Sequence, residues 1–310
     1  MPHTRTRTRG PCEFDDGLYE GGLNPDMQPH GHGVWTQLDA PGRPGRESYA
    51  GQWRDGVQHG TGTYTWGSGL SYTGEWRDSE VHAGVVRYTD GSTYSGAFRD
   101  TLRHGPGTYT YYTGISYTGT WRDGGLHTGA VRYTDGTTYS GALHDMLRHG
   151  SGTFTWACGD AYEGTFTAGD ITGHGTLYHA DGYRYTGGIR WGVPHGHGAE
   201  TYPSGSTHTG AFDDGKRHGL GTKTWPSGST YTGAFAHDYV HGDGVFHEKN
   251  EPTGDVAWSF EGSFEHDRPT VGVVRDFVHM TERRHSFPRD GAYIYEKPEV
   301  VWRHEVSIGG

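Results

Sequence analysis

Residues 49 to 69 read Tyr49-Ala-Gly-Gln-Trp-Arg-Asp-Gly-Val-Gln-His-Gly-Thr-Gly-Thr-Tyr-Thr-Trp-Gly-Ser-Gly69, and the same sentence returns down the chain. In this copy Tyr49 is followed by Gly51, Trp53, His59, Gly60, Gly62 and Tyr64. Openers fall at Tyr49, Tyr72, Tyr94, Tyr117, Tyr139, Tyr162, Tyr185, His208 and Tyr231, a spacing of 22 or 23 residues. Two residues after an opener stands glycine, as at Gly74, Gly96, Gly119, Gly141, Gly164, Gly187 and Gly233, and an aromatic often follows, as at Trp76 and Trp121. A period of this length marks an array of small stacked units.

Each copy splits into two short runs bounded by turn signals such as Arg-Asp-Gly-Val and Gly-Ser-Gly, so each reads as a β-hairpin. Successive side chains of a strand point to opposite faces, which puts Tyr72, Gly74 and Trp76 on one face and Thr73 and Glu75 on the other. One face is therefore aromatic and glycine, the other Thr, Ser and Glu. The glycines leave bare backbone on which rings from the adjoining hairpin can lie. The expected fold is all-β, an elongated single-layer solenoid of about eleven stacked antiparallel β-hairpins. Roughly 22 strands at about 4.8 Å spacing would give a ribbon on the order of 100 Å long.

Composition agrees with such an array. The 310 residues include 10 Trp, 21 Tyr, 11 Phe and 55 Gly, and the formal net charge is −11. Sparse aliphatics with that charge lean toward disorder, but aromatics in register can bury large areas apiece. Cys12 and Cys158 are too few for a disulfide framework or a Cys-rich zinc site. The acidic balance excludes a general nucleic-acid binder and disfavours anionic membranes. No apolar run is long enough to span a bilayer and the first 30 residues lack the apolar core of a signal peptide, so an intracellular, cytoplasmic location is expected.

Three regions are expected: a basic arm over 1–17, the array over 18–276 with insertions near 36–47 and 247–257, and a tail or cap over 277–310. The arm carries Arg5, Arg7 and Arg9, which suit docking onto an acidic surface such as a tubulin tail; a solvated tail is the plain alternative. The tail carries Tyr293, Tyr295 and Trp302, assigned here as partner-binding side chains. The copies opening at Tyr72 and Tyr117 contain His82-Ala-Gly84 and His127-Thr-Gly129, one residue shorter than the His-Gly-x-Gly copies at 49, 94 and 139, which makes a 45-residue double repeat.

The histidine ladder His59, His82, His104, His127, His149, His218 and His241, with His30-x-His32 and His195-x-His197, invites a metal site. Without Cys or close clustered carboxylates the structural reading prevails, each His sitting in a turn region where it can bond its own hairpin's backbone or stack on its neighbour. Gly60-Thr-Gly62 resembles part of a phosphate-binding fingerprint but lies between strands, with no helix N-terminus to hold an anion. No nucleophile stands beside a base, so no enzyme activity, cofactor or metal is assigned. A one-layer sheet cannot cover both faces, so part of the aromatic ladder is expected to stay accessible as a contact surface.

The Tyr-x-Gly-x-Trp and His-Gly-x-Gly-x-Tyr pattern resembles the MORN repeat, the membrane occupation and recognition nexus motif, from about 19 to 275. The resemblance implies a twisted sheet of stacked hairpins without implying one function. Tyr19 to Gly33 is similar to the opening of radial spoke head proteins of cilia, and Phe260 to Phe264 to the diverged last copy of small axonemal members. It therefore implies a scaffold of a ciliary or flagellar axoneme, with the radial spoke head as its place. Other axonemal or cytoskeletal proteins, tubulin or radial spoke subunits would be partners, and a homodimer is open. A phosphoinositide-binding membrane adaptor and a dimeric scaffold at the basal body or cell cortex remain the alternatives.

Overall fold

The computed structural model describes residues 7–39, 45–249, 253–277 and 281–286, and of 7–10 and 281–286 the backbone alone. Among these the protein is all-β without a helix. It divides into two compact units, one of residues 1–158 with 166–169, the other of 159–165 with 170–310.

The first unit holds β1 (Arg7–Phe14), β2 (Gly17–Leu23), β3 (Pro29–Gln37), β4 (Ser48–Arg54), β5 (Val57–Thr65), β6 (Ser71–Arg77), β7 (Glu80–Arg87), β8 (Thr93–Arg99), β9 (Leu102–Thr110), β10 (Ser116–Arg122), β11 (Gly125–Arg132), β12 (Thr138–His144) and β13 (Leu147–Thr155). Residues of β14 (Ala161–Thr167) fall in both units. The second unit continues with β15 (Asp170–Tyr178), β16 (Arg184–Arg190), β17 (Val193–Thr201), β18 (Thr207–Asp213), β19 (Lys216–Thr224), β20 (Thr230–Ala236), β21 (Tyr239–Lys249), β22 (Val256–Glu265), β23 (Arg268–Asp276) and β24 (Thr281–Ser286). Within each unit consecutive strands pair antiparallel, so each is a meander of hairpins in one layer.

Asp55 and Gly56 join β4 to β5 with φ of 49° and 84°. Two successive positive φ angles define the turn whose twist matches paired strands, and Asp-Gly suits it. Most copies repeat it with Asp first, whereas Trp191 holds the position at φ 53°. Past the turn the register slips: Gly51 faces Gly62 and Trp53 faces Gln58, leaving His59 to Thr61 in a bulge opposite Gln52. Gly60 has φ 65° there, and Gly105 and Gly150 match it. The shorter copies turn without that glycine, since Glu75 pairs with Ala83 and Trp76 with Val81. The ladder histidines thus lie inside strands at the bulge and not in the turns.

The core follows from the glycines. Tyr49 is fully buried although only one layer of sheet exists. Its ring lies over Gly62: a Cβ built on that glycine would stand 2.3 Å from Tyr49 Oη and 2.4 Å from Cζ. The ring therefore comes from the glycine's own hairpin, where an adjoining hairpin was expected. Burial pushes the Tyr49 hydroxyl up to about 12. It stays a donor, giving its proton to the carbonyl of Gln52, opposite the bulge, at 2.9 Å. Tyr72 to Glu75, Tyr94 to Ala97, Tyr139 to Ala142, Tyr185 to Gly188 and Tyr231 to Ala234 repeat this bond.

Trp and Phe fill the spaces between these tyrosines. Trp76 meets Tyr49 at 5.3 Å and Tyr72 at 5.1 Å, both edge to face. Phe98 then joins Tyr72 to Tyr94, and Trp121 follows. In the second unit Phe212, Phe235 and Phe264 play this part. Edge-to-face pairs contribute about 0.5–1.5 kcal/mol each beyond the area they bury.

Three boundaries differ from the sequence expectation. Residues 7–14, read as part of an arm, form β1 and pair with β2, and residues 281–286 of the expected tail pair with β23. An outermost strand needs only backbone N–H and C=O groups on one side, so it can join the sheet without the repeat's side chains. The expected insertion over 247–257 is also narrower, since β21 runs to Lys249 and β22 begins at Val256.

Gly62→Ala should destabilise the protein by about 1–3 kcal/mol or more through overpacking against Tyr49. Gly125→Ala is the control, since its Cβ would meet only the Arg122 carbonyl at 3.7 Å. Denaturant unfolding checks both, and equal midpoints would contradict the ring-on-glycine account.

Candidate functional site

Beside the buried ladder runs a second row on the same face, half-buried at Tyr64, Val86 and Tyr109 and buried at Val131 and Phe154. Cross-strand partners share a face, and in the first unit Tyr64 pairs with Tyr49 and Tyr72, and Tyr109 with Tyr94 and Tyr117. Between them stands Val86, opposite Tyr72 and Tyr94. A valine in a row of rings leaves a notch of about 360 Å³, lined by Trp66, Leu70, Tyr88, Phe98, Leu102 and Arg103 among others. The 45-residue alternation thus sets a valine, Val86 or Val131, between the rings Tyr64, Tyr109 and Phe154. Part of the aromatic surface is accessible, as expected, but it is this second row, while the openers other than Tyr117 are buried.

In the second unit the row changes chemistry. Glu200 pairs with Tyr185 and His208, and Lys223 with His208 and Tyr231, so three adjacent strands carry Glu200, His208 and Lys223 where other copies carry rings and aliphatics. Glu200 is only 4% exposed. Its carboxylate accepts from Tyr202 at 2.8 Å and Tyr183 at 3.0 Å, with Arg217 Nε 3.7 Å away. Burial first, then the Glu200 charge, pushes both tyrosine hydroxyls up. Lys223 is pushed down by burial and then by Arg217, and its ammonium lies 5.0 Å over the Trp225 ring.

His208 replaces the opening tyrosine and is fully buried between Phe212 and Phe235, with ring centroids 5.4 and 4.6 Å away. Neither ring nitrogen has a hydrogen-bond partner. Burial, then Arg217 and Lys223, lowers its pKa to about 4, with Asp238 acting the other way.

His59 and His104 of the ladder, and His30 before it, bridge hairpins through aspartates. Asp78 lies 3.6 Å from His59 and is also bonded by Arg54 at 2.5 Å; Asp123 sits between His104 and Arg99, and Asp55 beside His30. Exposed pairs of this kind contribute little stability. His195, Asp213 and Asp214 could converge on a cation, their ligand atoms lying within 4.8 Å of one another. Arg190 already supplies positive charge there, 2.8 Å from Asp214 and 3.8 Å from Asp213, so the cluster is one more interhairpin bridge.

Of the side chains assigned to partner binding, Arg5, Tyr293, Tyr295 and Trp302 lie outside the described residues, and Arg7 and Arg9 are described only as backbone of β1. The sequence reading missed Arg103, Glu200, Arg217 and Lys223. A signal existed, because Glu200 and Lys223 break the row that Tyr64, Tyr109 and Phe154 define. Trp191 is 81% exposed, the most exposed large apolar side chain described.

A single-layer hairpin array whose open face mixes rings with placed cations defines a class, the repeat scaffold that binds proteins. The particular family is recognisable from sequence: a profile described as MORN repeat matches residues 49–71, 94–116, 139–160, 162–182, 185–207 and 208–230, and the chain is a MORN-repeat protein. No curated protein matches the chain. Among solved structures it is similar to the SAS-4 (dCPAP) TCP domain of Drosophila melanogaster, solved with a proline-rich motif of Ana2 (dSTIL). That match has 11% identity and a TM-score of 0.33, and covers 56% of this chain and 85% of that one. The G-box domain of the microcephaly protein CPAP matches with 11% identity and a TM-score of 0.25, covering 65% and 92%. Likenesses this low say nothing about function. Among the described residues no helix is long and apolar enough to cross a membrane.

His208→Tyr should stabilise the protein by about 1 kcal/mol, since the hydroxyl would donate to the Ala211 carbonyl as its counterparts do. The wild type has a second signature. A histidine whose folded pKa lies below its unfolded value contributes stability that is present above pH 6.5 and is lost as pH falls toward 4, on the order of 3 kcal/mol in all. Urea midpoints should fall less steeply from pH 7 to pH 4 in His208→Tyr than in wild type; parallel curves would contradict the assignment.

Proposed function

We propose that this chain is a non-catalytic scaffold subunit of a ciliary or flagellar axoneme, placed at the radial spoke head. The observation that carries the reading is the surface of half-buried rings and cations on one face, Tyr64, Tyr109, Arg103 and Arg148 in the first unit and Lys223 over Trp225 in the second. Contiguous apolar surface of this kind marks a protein contact. The resemblance of Tyr19 to Gly33 to the opening of radial spoke head proteins supports the location. Radial spoke subunits and tubulin are the first candidate partners, with a second copy of the chain as a further one. The net charge of −11 makes the chain a poor general binder of nucleic acid.

A tagged copy in a flagellated cell is expected along the axoneme shaft, to resist detergent extraction, and to co-purify with spoke components. A signal confined to the basal body or cortex would replace the axoneme with a cytoskeletal scaffold elsewhere. Salt-sensitive flotation with phosphoinositide liposomes, together with loss on detergent treatment, would replace it with a membrane adaptor.

A further inference from the structure

Four strands carry a long polar side chain at one place on the aromatic face. Gln58, Arg103, Arg148 and Arg217 stand directly opposite Trp53, Phe98, Leu143 and Phe212. An arginine among rings needs partners for its N–H groups, because ring faces attract the cation without accepting those hydrogens in the plane of the guanidinium. Two of the three arginines find partners. Arg148 Nη2 donates to the Gly169 carbonyl at 2.5 Å, and Arg217 Nε lies 3.4 Å from Asp238 Oδ1 and 3.7 Å from Glu200 Oε1.

Arg103 differs. Its guanidinium carbon lies 4.5 Å over the Trp121 ring, 5.2 Å from Tyr109 and 5.8 Å from Tyr94. Among the described residues no side chain or carbonyl accepts from it. The planar fork of N–H donors, which matches a carboxylate in two parallel bonds, borders the notch that Val86 opens. Apart from Thr101 the rest of that notch is largely apolar, with Trp66, Leu70, Tyr88, Phe98 and Leu102 in its lining.

Resting on the protein-scaffold reading, we infer that this notch is a docking site for a partner peptide that presents one large apolar side chain beside a carboxylate. The side chain fills the gap left by the missing ring, and the carboxylate pairs with Arg103. Charge complementarity selects the acid. The chain's own net charge of −11 opposes a densely acidic partner, so the motif carries one or two carboxylates and not a run. Arg148 and Arg217, already bonded, offer no second copy of the site.

The full chain, immobilised, is panned against a random dodecapeptide display library, and enriched peptides are measured by fluorescence anisotropy. Enriched sequences should place Asp or Glu within a few residues of a large apolar residue. Arg103→Gln should weaken them roughly tenfold or more, the loss of a charge-assisted pair. Val86→Tyr, which restores the ring found at Tyr64 and Tyr109 and leaves the cation in place, should weaken them likewise, and it decides the matter if Arg103→Gln misfolds by circular dichroism. Arg132→Gln, which removes the same charge from an exposed position, should leave affinity unchanged. Peptides that bind Arg103→Gln and Val86→Tyr as well as wild type would overturn the notch while leaving protein binding intact. Failure of any peptide to enrich would also overturn it, the scaffold reading then standing or falling on its own co-purification. Binding instead to vesicles containing phosphatidylinositol 4-phosphate, lost in Arg103→Gln, would assign the cation to lipid phosphate and overturn the peptide.

Discussion

A tyrosine ring lying on two glycines that face each other across a strand pair is the contact on which this protein depends. A single sheet has no second layer to bury its apolar residues, so its core must be made from its own surface. Gly51 and Gly62 create a depression one ring wide, and Tyr49 fills it from within the same hairpin. The hydroxyl then bonds the carbonyl that the bulge frees at Gln52. Ring, glycine pair and bulge are therefore one device, and removing any part leaves the others without purpose. Trp76 and its counterparts extend the device from hairpin to hairpin by edge-to-face contact.

Because the device repeats, departures from it are where individuality enters. Val86 in place of a ring opens a notch, and Arg103 beside it brings a cation with unused donors. Glu200, His208 and Lys223 convert three successive strands of the other unit from apolar to polar. That conversion is uneven in its cost. Glu200 is supported by two tyrosine hydroxyls and a nearby arginine, whereas His208 is left with two unpaired nitrogens in an aromatic slot. A scaffold of near-identical units can distinguish partners only at such positions, since the remainder presents the same surface many times over.

Much of the architecture was legible before any coordinates. Period, strand parity and turn chemistry are local, so Tyr49, Gly51, Gly62 and the Asp-Gly turns could be read as hairpins directly. What escaped was set by packing across strands. The ladder histidines seemed to belong to turns because a bulge is invisible in residue order, and β1 escaped because an outermost strand needs no repeat signature. Residue order does not single out Arg103, because Phe98 opposite it and the three rings around it are brought there by strand pairing.

By itself, then, the sequence determined the all-β hairpin array, its repeat family and the aromatic-glycine face, because each follows from residue types at fixed spacing along the chain. Only tertiary structure decided which rings are buried and which stay open, which arginines are satisfied, and where charge interrupts the row. Those outcomes depend on register between strands, where a slip of one residue would turn each of these side chains to the other face.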